Sequence, residues 1–185
     1  MIVLVRQGTK FGPEYVAKLA NQVRDRVVTL TDQPDTPGET RALKHGWPGW
    51  WAKLELFSPE HDGLKPFTFL DLDTFVFGEI PDYEDRFLMI RDFNFPNKRA
   101  SGVMRVSRET RVWEHFLSRP RQHMDVHAGD QDYLGPFADG FLPMDGIRSY
   151  KKHCRDGPKG TIMCFHGRPK PHECTGWAKE YWDAA

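Results

Sequence analysis

Two aspartates, Asp71 and Asp73, stand one residue apart directly after an apolar run over residues 67–70. In an extended segment residues i and i+2 face the same way, so both carboxylates could reach one cation. Hard divalent ions take oxygen ligands, and one or two carboxylates with phosphate oxygens are a common set. The pair therefore indicates a site for Mn²⁺ or Mg²⁺, and a solvated turn is the alternative without chemistry.

A histidine, His166, follows another apolar run and begins a loop that contains Gly167 and Lys170. Its imidazole is a candidate third ligand beside the two carboxylates. Lys170 would supply a point charge to a phosphate group, and Gly167 permits close backbone approach. A structural, hydrogen-bonded histidine is the alternative interpretation of the same position.

The same segment holds a possible zinc knot, formed by Cys164, His166, His172 and Cys174. Structural zinc sites usually pair their ligands two to four residues apart, with a longer gap between the pairs. One residue separates the members of each pair here, which makes the geometry awkward. The zinc knot therefore stands as a competing hypothesis.

Two other segments carry polar groups that could act on a ligand. Asp130 and Gln131 lie at a predicted helix start, where Asp130 could equally be a simple N-cap. Lys53 lies in a tryptophan-rich segment over residues 50–57 that we predict to be a short helix. Like many helix lysines, Lys53 could also face solvent.

Strands and helices alternate along the chain and must position these side chains. Strands are predicted over residues 2–5, 27–30, 67–70, 87–90, 103–106 and 162–165. Helices are predicted from Pro13 onward and over residues 50–57, 110–117, 131–137 and 177–182. The alternation predicts an α/β fold, a single Rossmann-like domain over residues 1–185 with a mostly parallel central sheet flanked by helices. Ligands of such sheets bind beyond the carboxyl ends of the strands, where Asp71 and His166 stand.

Composition excludes several classes of protein. The chain has 185 residues, with 26 Lys or Arg and 26 Asp or Glu. This balance argues against a nucleic-acid partner attracted by bulk charge, although a local basic patch stays possible. No apolar run reaches the roughly 20 residues of a membrane span. Three cysteines near the end of the sequence fit a reducing compartment, and the first residues read as a strand, which together predict a cytoplasmic protein.

Taken together, the motifs resemble those of the family 8 glycosyltransferases and their small bacterial and phage relatives, which have a GT-A fold. The shared order, covering residues 3–177, is Lys53-Leu54, Asp71-Leu72-Asp73, Ser101-Gly102-Val103, Asp130-Gln131-Asp132 and a late His with a Lys-Pro pair. Three departures stand out. Ala100 replaces an Asn of the family, only three residues separate His166 from Lys170, and His172 stands where the family has Trp.

The resemblance implies a metal-dependent glycosyltransferase that uses a nucleotide-sugar donor, UDP-linked, retains the anomeric configuration and acts on an unknown acceptor. It implies that Asp71, Asp73 and His166 bind Mn²⁺ (or Mg²⁺), and that Gln131 and Asp130 lie near the transferred sugar as candidate catalytic residues. The residues it implies in donor binding are Gly8, Thr9, Lys53, Asp92, Ser101 and Lys170.

Two rival functions stay open at this point. Asp71-Leu72-Asp73-Thr74 also resembles the D-x-D-x-T motif of haloacid dehalogenase-like phosphohydrolases, in which the first Asp is the nucleophile and the second the acid. That family usually carries the motif on its first strand and adds a late acidic pair. The other rival is a nucleotide-sugar binding module that has lost turnover.

Overall fold

The computed structural model describes residues 1–108 and 111–185. Its strands form two sheets, one of seven strands and one of three. Numbered in chain order, the strands are Ile2–Arg6 (β1), Val27–Thr31 (β2), Glu39–Ala42 (β3), Phe67–Leu70 (β4), Thr74–Val76 (β5), Leu88–Arg91 (β6), Arg99–Val106 (β7), Gly140–Phe141 (β8), Ile147–Ser149 (β9) and Ile162–Cys164 (β10).

The large sheet has the strand order β3-β2-β1-β4-β7-β6-β8. Strands β3, β2, β1 and β4 run parallel to one another, and β8 runs parallel to β6. Strand β7 is antiparallel to both of its neighbours, β4 and β6. The prediction of an α/β fold with a mostly parallel central sheet is confirmed.

The small sheet has the order β5-β10-β9, with β10 antiparallel to β5 and parallel to β9. The predicted strand over residues 162–165 is real but belongs to this sheet, and it ends at Cys164. Its partner β5 begins directly after the Asp71-Leu72-Asp73 segment, at Thr74. The small sheet therefore connects the aspartate segment with the loop that carries His166.

The helices flank the sheets, and several differ from the predicted ones. Predicted helix 50–57 is a 3₁₀ helix, predicted helix 110–117 starts at a residue outside the described ranges, and Pro136 divides predicted helix 131–137. Among the described residues, no helix is both long and apolar enough to cross a membrane. The α-helices are Pro13–Asn21 (α1), Val112–Ser118 (α2), Pro120–Val126 (α3), Asp130–Leu134 (α4), Tyr150–His153 (α5) and Trp177–Ala184 (α6), and the 3₁₀ helices are Gly49–Phe57, Pro59–Leu64, Gly135–Phe137 and Pro171–Glu173.

Apolar side chains on the two faces of the large sheet belong to two separate clusters. In β1, Ile2 and Leu4 pack into one cluster and Val3 into the other, as the two-residue period of a strand requires. The same alternation sends Phe69 and Leu70 of β4 to opposite faces. Because both faces are covered, these strands read as continuous apolar runs in the sequence.

Candidate active site

A cavity of about 560 Å³ opens where the central strands end. The end of β1, the β4–β5 turn, the ends of β6 and β7, the start of α4 and the loop after β10 all line it. Eleven site residues follow from the sequence, and nine of them line this cavity: Lys53, Asp71, Asp73, Asp92, Ser101, Asp130, Gln131, His166 and Lys170. Gly8 and Thr9 are not among the lining residues, although Gln7 and Lys10 on either side of them are.

Lys53 lies at the centre of a group of polar side chains. Its Nζ is 2.7 Å from Asp71 Oδ1, 3.3 Å from Asp130 Oδ2 and 3.3 Å from Ser101 Oγ. The lysine comes from the 3₁₀ helix Gly49–Phe57, which points it inward because neighbouring apolar residues pack under the sheet. Burial disfavours the ammonium, but the carboxylates of Asp130 and Asp71 outweigh this and raise the pKa of Lys53. Lys53 is therefore a fixed positive charge between two carboxylates.

Asp71 directly follows β4, and its backbone N–H donates to the carbonyl oxygen of Gly102 at 2.9 Å. Burial raises the pKa of the Asp71 carboxyl to about 6, Lys53 opposes this rise, and the nearby charge of Asp73 adds to it. The two aspartates of the motif thus repel each other, as expected for like charges at one strand end. The carboxylate of Asp71 is ionised at neutral pH and becomes protonated under mildly acidic conditions.

Asp73 is buried, with its side chain 8% exposed, and forms an ion pair with Lys170. The loop that carries Lys170 is held in place from two sides. The Glu173 carboxylate accepts a hydrogen bond from the Lys170 backbone N–H at 2.8 Å, and Tyr15 in α1 is hydrogen-bonded to His172 Nδ1. The three-residue spacing from His166 therefore still brings Lys170 into the cavity.

His166 also lines the cavity and contacts two residues that the sequence did not single out. Its Nε2 is 2.7 Å from Ser149 Oγ, and its ring stacks on Phe93 with centroids 5.5 Å apart. Burial lowers the pKa of His166, and the positive charge of Lys151 lowers it further. The imidazole is neutral at pH 7, which is the form that can accept a hydrogen bond or ligate a metal.

The three predicted metal ligands line one cavity, but each already has a partner. Asp71 is paired with Lys53, Asp73 with Lys170, and His166 with Ser149. Within residues 1–108 and 111–185, no three His, Cys, Asp or Glu side chains come close enough together to hold a metal ion.

The zinc knot is not formed, because its ligands are used otherwise. Cys164 and Cys174 are buried free thiols, and His166 and His172 are bonded to Ser149 and Tyr15. Cys164 lies in β10, whose backbone pairs with strands on both sides. Among the described residues these four side chains do not form a metal-binding group, so the zinc-knot hypothesis is wrong.

Asp130 and Gln131 begin α4 and line the cavity. Asp130 is only 5% exposed and lies at ion-pair distance from Lys53, although its Oδ2 makes no hydrogen bond among the described residues. Trp50 packs beside Gly129, where a Cβ would come 3.3 Å from Trp50 Nε1. The absence of a side chain at Gly129 therefore lets Trp50 lie against the start of α4.

The sequence also missed residues that shape the site. Phe93 and Ser149 position His166, and Tyr15 fixes the loop of Lys170. Ser149 belongs to a three-residue strand too short to give a periodic signal. Asp92, which the sequence did single out, accepts hydrogen bonds from the backbone N–H groups of Asn94 and Phe95, so it also shapes its own turn.

No model of a known protein family matches the sequence, and no curated protein matches it. Solved structures do match its fold. An active-site mutant of LgtC has 15% identity and a TM-score of 0.67, with 98% of this chain and 94% of that chain covered. The glycosyltransferase GlyE of Streptococcus pneumoniae TIGR4 has 15% identity and a TM-score of 0.68. The bifunctional glycosyltransferase WbbM has 10% identity and a TM-score of 0.59.

The extent of these matches differs. The chain covers 60% of GlyE and 51% of WbbM, less than two thirds of either protein. At such low identity the similarity concerns the arrangement of strands and helices rather than individual side chains. The chain has the α/β fold of these glycosyltransferases, with its cavity at the strand ends.

Proposed function

We propose that this protein is a metal-dependent glycosyltransferase of the family 8 type that uses a nucleotide-sugar donor, UDP-linked, and retains the anomeric configuration. One observation carries the proposal. Residues far apart in the sequence, from Lys53 to Lys170, line one cavity on a fold shared with solved glycosyltransferases. The three buried free cysteines are compatible with the expected cytoplasmic location.

The donor set of the cavity fits Mn²⁺ or Mg²⁺ in its chemistry. Asp71, Asp73 and His166 would have to leave Lys53, Lys170 and Ser149 and move together to hold the cation. Carboxylate oxygens and a neutral imidazole nitrogen suit these ions. When bound, such an ion neutralises the negative charge that develops on the departing diphosphate. Lys53 favours the ionised form of Asp71 near neutral pH, and this is the form of the carboxyl group that can bind a metal ion.

Lys170 is the candidate cation for the diphosphate itself. Its ammonium group reaches the cavity from a loop that is held in place by the contacts of Glu173 and Tyr15. A fixed positive charge near the leaving group lowers the activation barrier. Its attraction to the diphosphate is stronger in the transition state, where negative charge develops on the leaving group, than in the ground state.

The remaining candidates are placed around the sugar and the nucleotide. Gln131 and Asp130 would act beside the transferred sugar, with Asp130 held by Lys53. Ser101 and Asp92 would contact the donor from the ends of β7 and β6. Gly8 and Thr9, after β1, would border the nucleotide.

Release of UDP from a panel of UDP-sugars tests the proposal. We expect slow UDP release by the wild type in Mn²⁺ and loss of that release in Asp73→Asn. Asp183→Asn is the matched control, because Asp183 is exposed and pairs with Lys179 on α6, away from the cavity-lining residues. A wild type that releases no UDP from any donor in the panel would argue for the binding module. A variant that keeps full turnover would remove Asp73 from the site.

The phosphohydrolase hypothesis makes a different prediction. In that mechanism Asp71 attacks phosphorus and His166 has no assigned part. The similarity to glycosyltransferase structures favours the transferase, and the late loop carries Lys170 and Arg168 where an acidic pair is expected. Release of phosphate from p-nitrophenyl phosphate, with Asp71→Asn inactive and His166→Ala active, would reverse this preference.

A further inference from the structure

A strongly basic segment borders the cavity. Residues 148–170 contain seven Lys or Arg residues and one Asp, a formal charge of +6. Because the whole chain is formally neutral, the rest of it carries −6. The segment comprises the end of β9, α5, β10 and the loop of His166 and Lys170.

Two lysines of α5 bring this charge to the edge of the cavity. Lys151 Nζ lies where it would be 3.2 Å from a Cβ placed at Gly167, and Gly167 lines the cavity. Lys152 Nζ donates a hydrogen bond to the carbonyl oxygen of Phe93, which also lines the cavity. We call Lys151 and Lys152 the basic rim.

Little negative charge opposes the basic rim. In the part of the chain that the structure describes, the segment forms ion pairs with acids only through Arg168 with Glu173 and Lys170 with Asp73. Asp92 faces His166, but its carboxylate is engaged by two backbone N–H groups. The field at the rim is therefore positive.

The proposed donor leaves this charge unused. The diphosphate would be met by Lys170 and a divalent cation on Asp71 and Asp73, whereas the basic rim belongs to another element and reaches the cavity at Phe93 and Gly167. Gly167, with φ +68°, has no side chain in the space beside Lys151. The space at Gly167 therefore leaves the Lys151 ammonium group open toward the cavity, and Lys152 reaches the cavity edge at Phe93.

We propose that the basic rim binds a phosphate group on the acceptor, so that the acceptor is a phosphorylated sugar. The inference rests on the proposed function, which supplies the donor and the transfer of a sugar to a hydroxyl group. Lysine ammonium groups bind phosphate as point charges, and Lys152 keeps donor capacity beyond its one contact. Trp50, 52% exposed and lining the same cavity, offers a ring face against which sugar C–H groups can pack.

Calorimetric titration of glucose 6-phosphate into protein saturated with UDP and Mn²⁺ tests the proposal, with glucose as the neutral control ligand. We expect the phosphorylated sugar to bind and glucose to bind at least roughly tenfold more weakly. The double variant Lys151→Gln/Lys152→Gln should lose about tenfold or more in affinity for glucose 6-phosphate and keep its affinity for UDP. Lys44→Gln/Lys179→Gln removes two exposed lysine charges elsewhere and should change neither affinity.

Three results would overturn the inference. The first is binding of glucose 6-phosphate only when UDP is left out, which would place the phosphate in the donor site. The second is an equal loss of affinity in both double variants, which would make the effect non-specific. The third is binding of a single-stranded oligonucleotide when glucose 6-phosphate does not bind, which would assign the rim to nucleic acid. Failure of UDP itself to bind would instead count against the proposed function.

Discussion

At the scale of single residues, the candidate site depends on lysines that neutralise carboxylates. Lys53 lies between Asp71 and Asp130, and Lys170 pairs with Asp73. A buried carboxylate is tolerated only beside a positive charge, because removal of one member of a buried ion pair leaves the other charge uncompensated. The same charges that could bind a donor therefore also stabilise the fold, and variants must be examined for both effects.

Lys170→Ala separates the two roles of this lysine. With Mn²⁺ present we expect UDP binding to weaken by about 1–3 kcal/mol, the usual range for a charge-assisted contact. Without metal, the variant should be less stable than the wild type, because the buried Asp73 carboxylate loses the ammonium group of Lys170. Added Mn²⁺ should therefore raise its melting temperature more than that of the wild type.

Isothermal titration calorimetry and thermal melts of Lys170→Ala check both parts. Lys179→Ala is the control, since Lys179 pairs with Asp183 on the exposed side of α6 and should bind UDP normally. An unchanged UDP affinity in Lys170→Ala would mean that the loop keeps this lysine away from the diphosphate.

The raised pKa of Asp71 predicts a pH dependence of ligand binding. The carboxyl has a pKa of about 6 in the folded protein, and about 3.9 is usual for an unfolded chain. The folded state therefore binds this proton more tightly than the unfolded state does. Protonation of Asp71 contributes fully to the free energy of unfolding below about pH 4, and this contribution is lost as the pH rises through 6. Binding of the proposed metal ion should show the opposite pH dependence, because the proton and the metal ion would compete for the same carboxylate oxygens.

We expect Mn²⁺-dependent UDP binding to be constant near pH 7.5 and to weaken as the pH falls below about 6. Titrations at pH 7.5, 6 and 5 in one buffer system of constant ionic strength measure this directly. Binding that stays constant down to pH 5 would contradict the assignment of Asp71 as a ligand of the cation.

At the scale of elements, the 3₁₀ helix Gly49–Phe57 places Lys53 by anchoring the residues around it. Trp51 is 6% exposed and packs against Phe116 and Tyr133, whereas the adjacent Trp50 is 52% exposed. Leu54 is fully buried in the same apolar cluster. One face of the helix is therefore anchored in the apolar cluster, and the side chain of Lys53 extends from the helix toward the strand ends.

The two adjacent tryptophans form a matched pair for a stability test. Trp51→Ala should destabilise the protein by about 3–5 kcal/mol, as usual for truncation of a buried aromatic side chain. Trp50→Ala should leave the free energy of unfolding within about 0.5 kcal/mol of the wild type, as is usual for a surface substitution. Chemical denaturation of both variants measures the difference, and equal losses would contradict the anchoring role of Trp51.

Sequence pattern predicted the elements that have a strong apolar signal. Both faces of β1 and β4 are buried, so their apolar runs were recognisable in the sequence. Strands β2 and β7 contain the predicted segments, and β6 begins and ends one residue later than predicted. By contrast, β3 is polar and mostly exposed, and β5, β8 and β9 have only two or three residues. Such short segments owe their conformation to sheet neighbours that are distant in the sequence.

The site was predictable to a similar degree. The chemical types of Asp71, Asp73 and Lys170 and their positions beside apolar runs pointed to one strand-end cavity. Partners were not predictable, because the contact of Lys53 with Asp130 and that of His166 with Ser149 join elements far apart in the chain. The spacing could not exclude the zinc knot either, since only the strand β10 and the bonded histidines do so.

At the scale of the whole molecule, the two sheets bring the site together from opposite ends of the chain. The large sheet supplies the ends of β4, β6 and β7, and the small sheet supplies the loop after β10. The strand β5 joins them, because it leaves β4 through the aspartate segment and pairs with β10. The fold of solved glycosyltransferases is therefore arranged here so that the carboxylates and the late loop face one cavity.

A crystal structure of the protein with Mn²⁺ and UDP tests the central claim most directly. The account predicts a Mn²⁺ ion bound by Asp71, Asp73 and His166, with the diphosphate of UDP on the ion and within reach of Lys170. Anomalous scattering would identify the metal. UDP bound outside the cavity at the strand ends, or bound within it with the ion absent and both aspartates still paired with their lysines, would contradict the account.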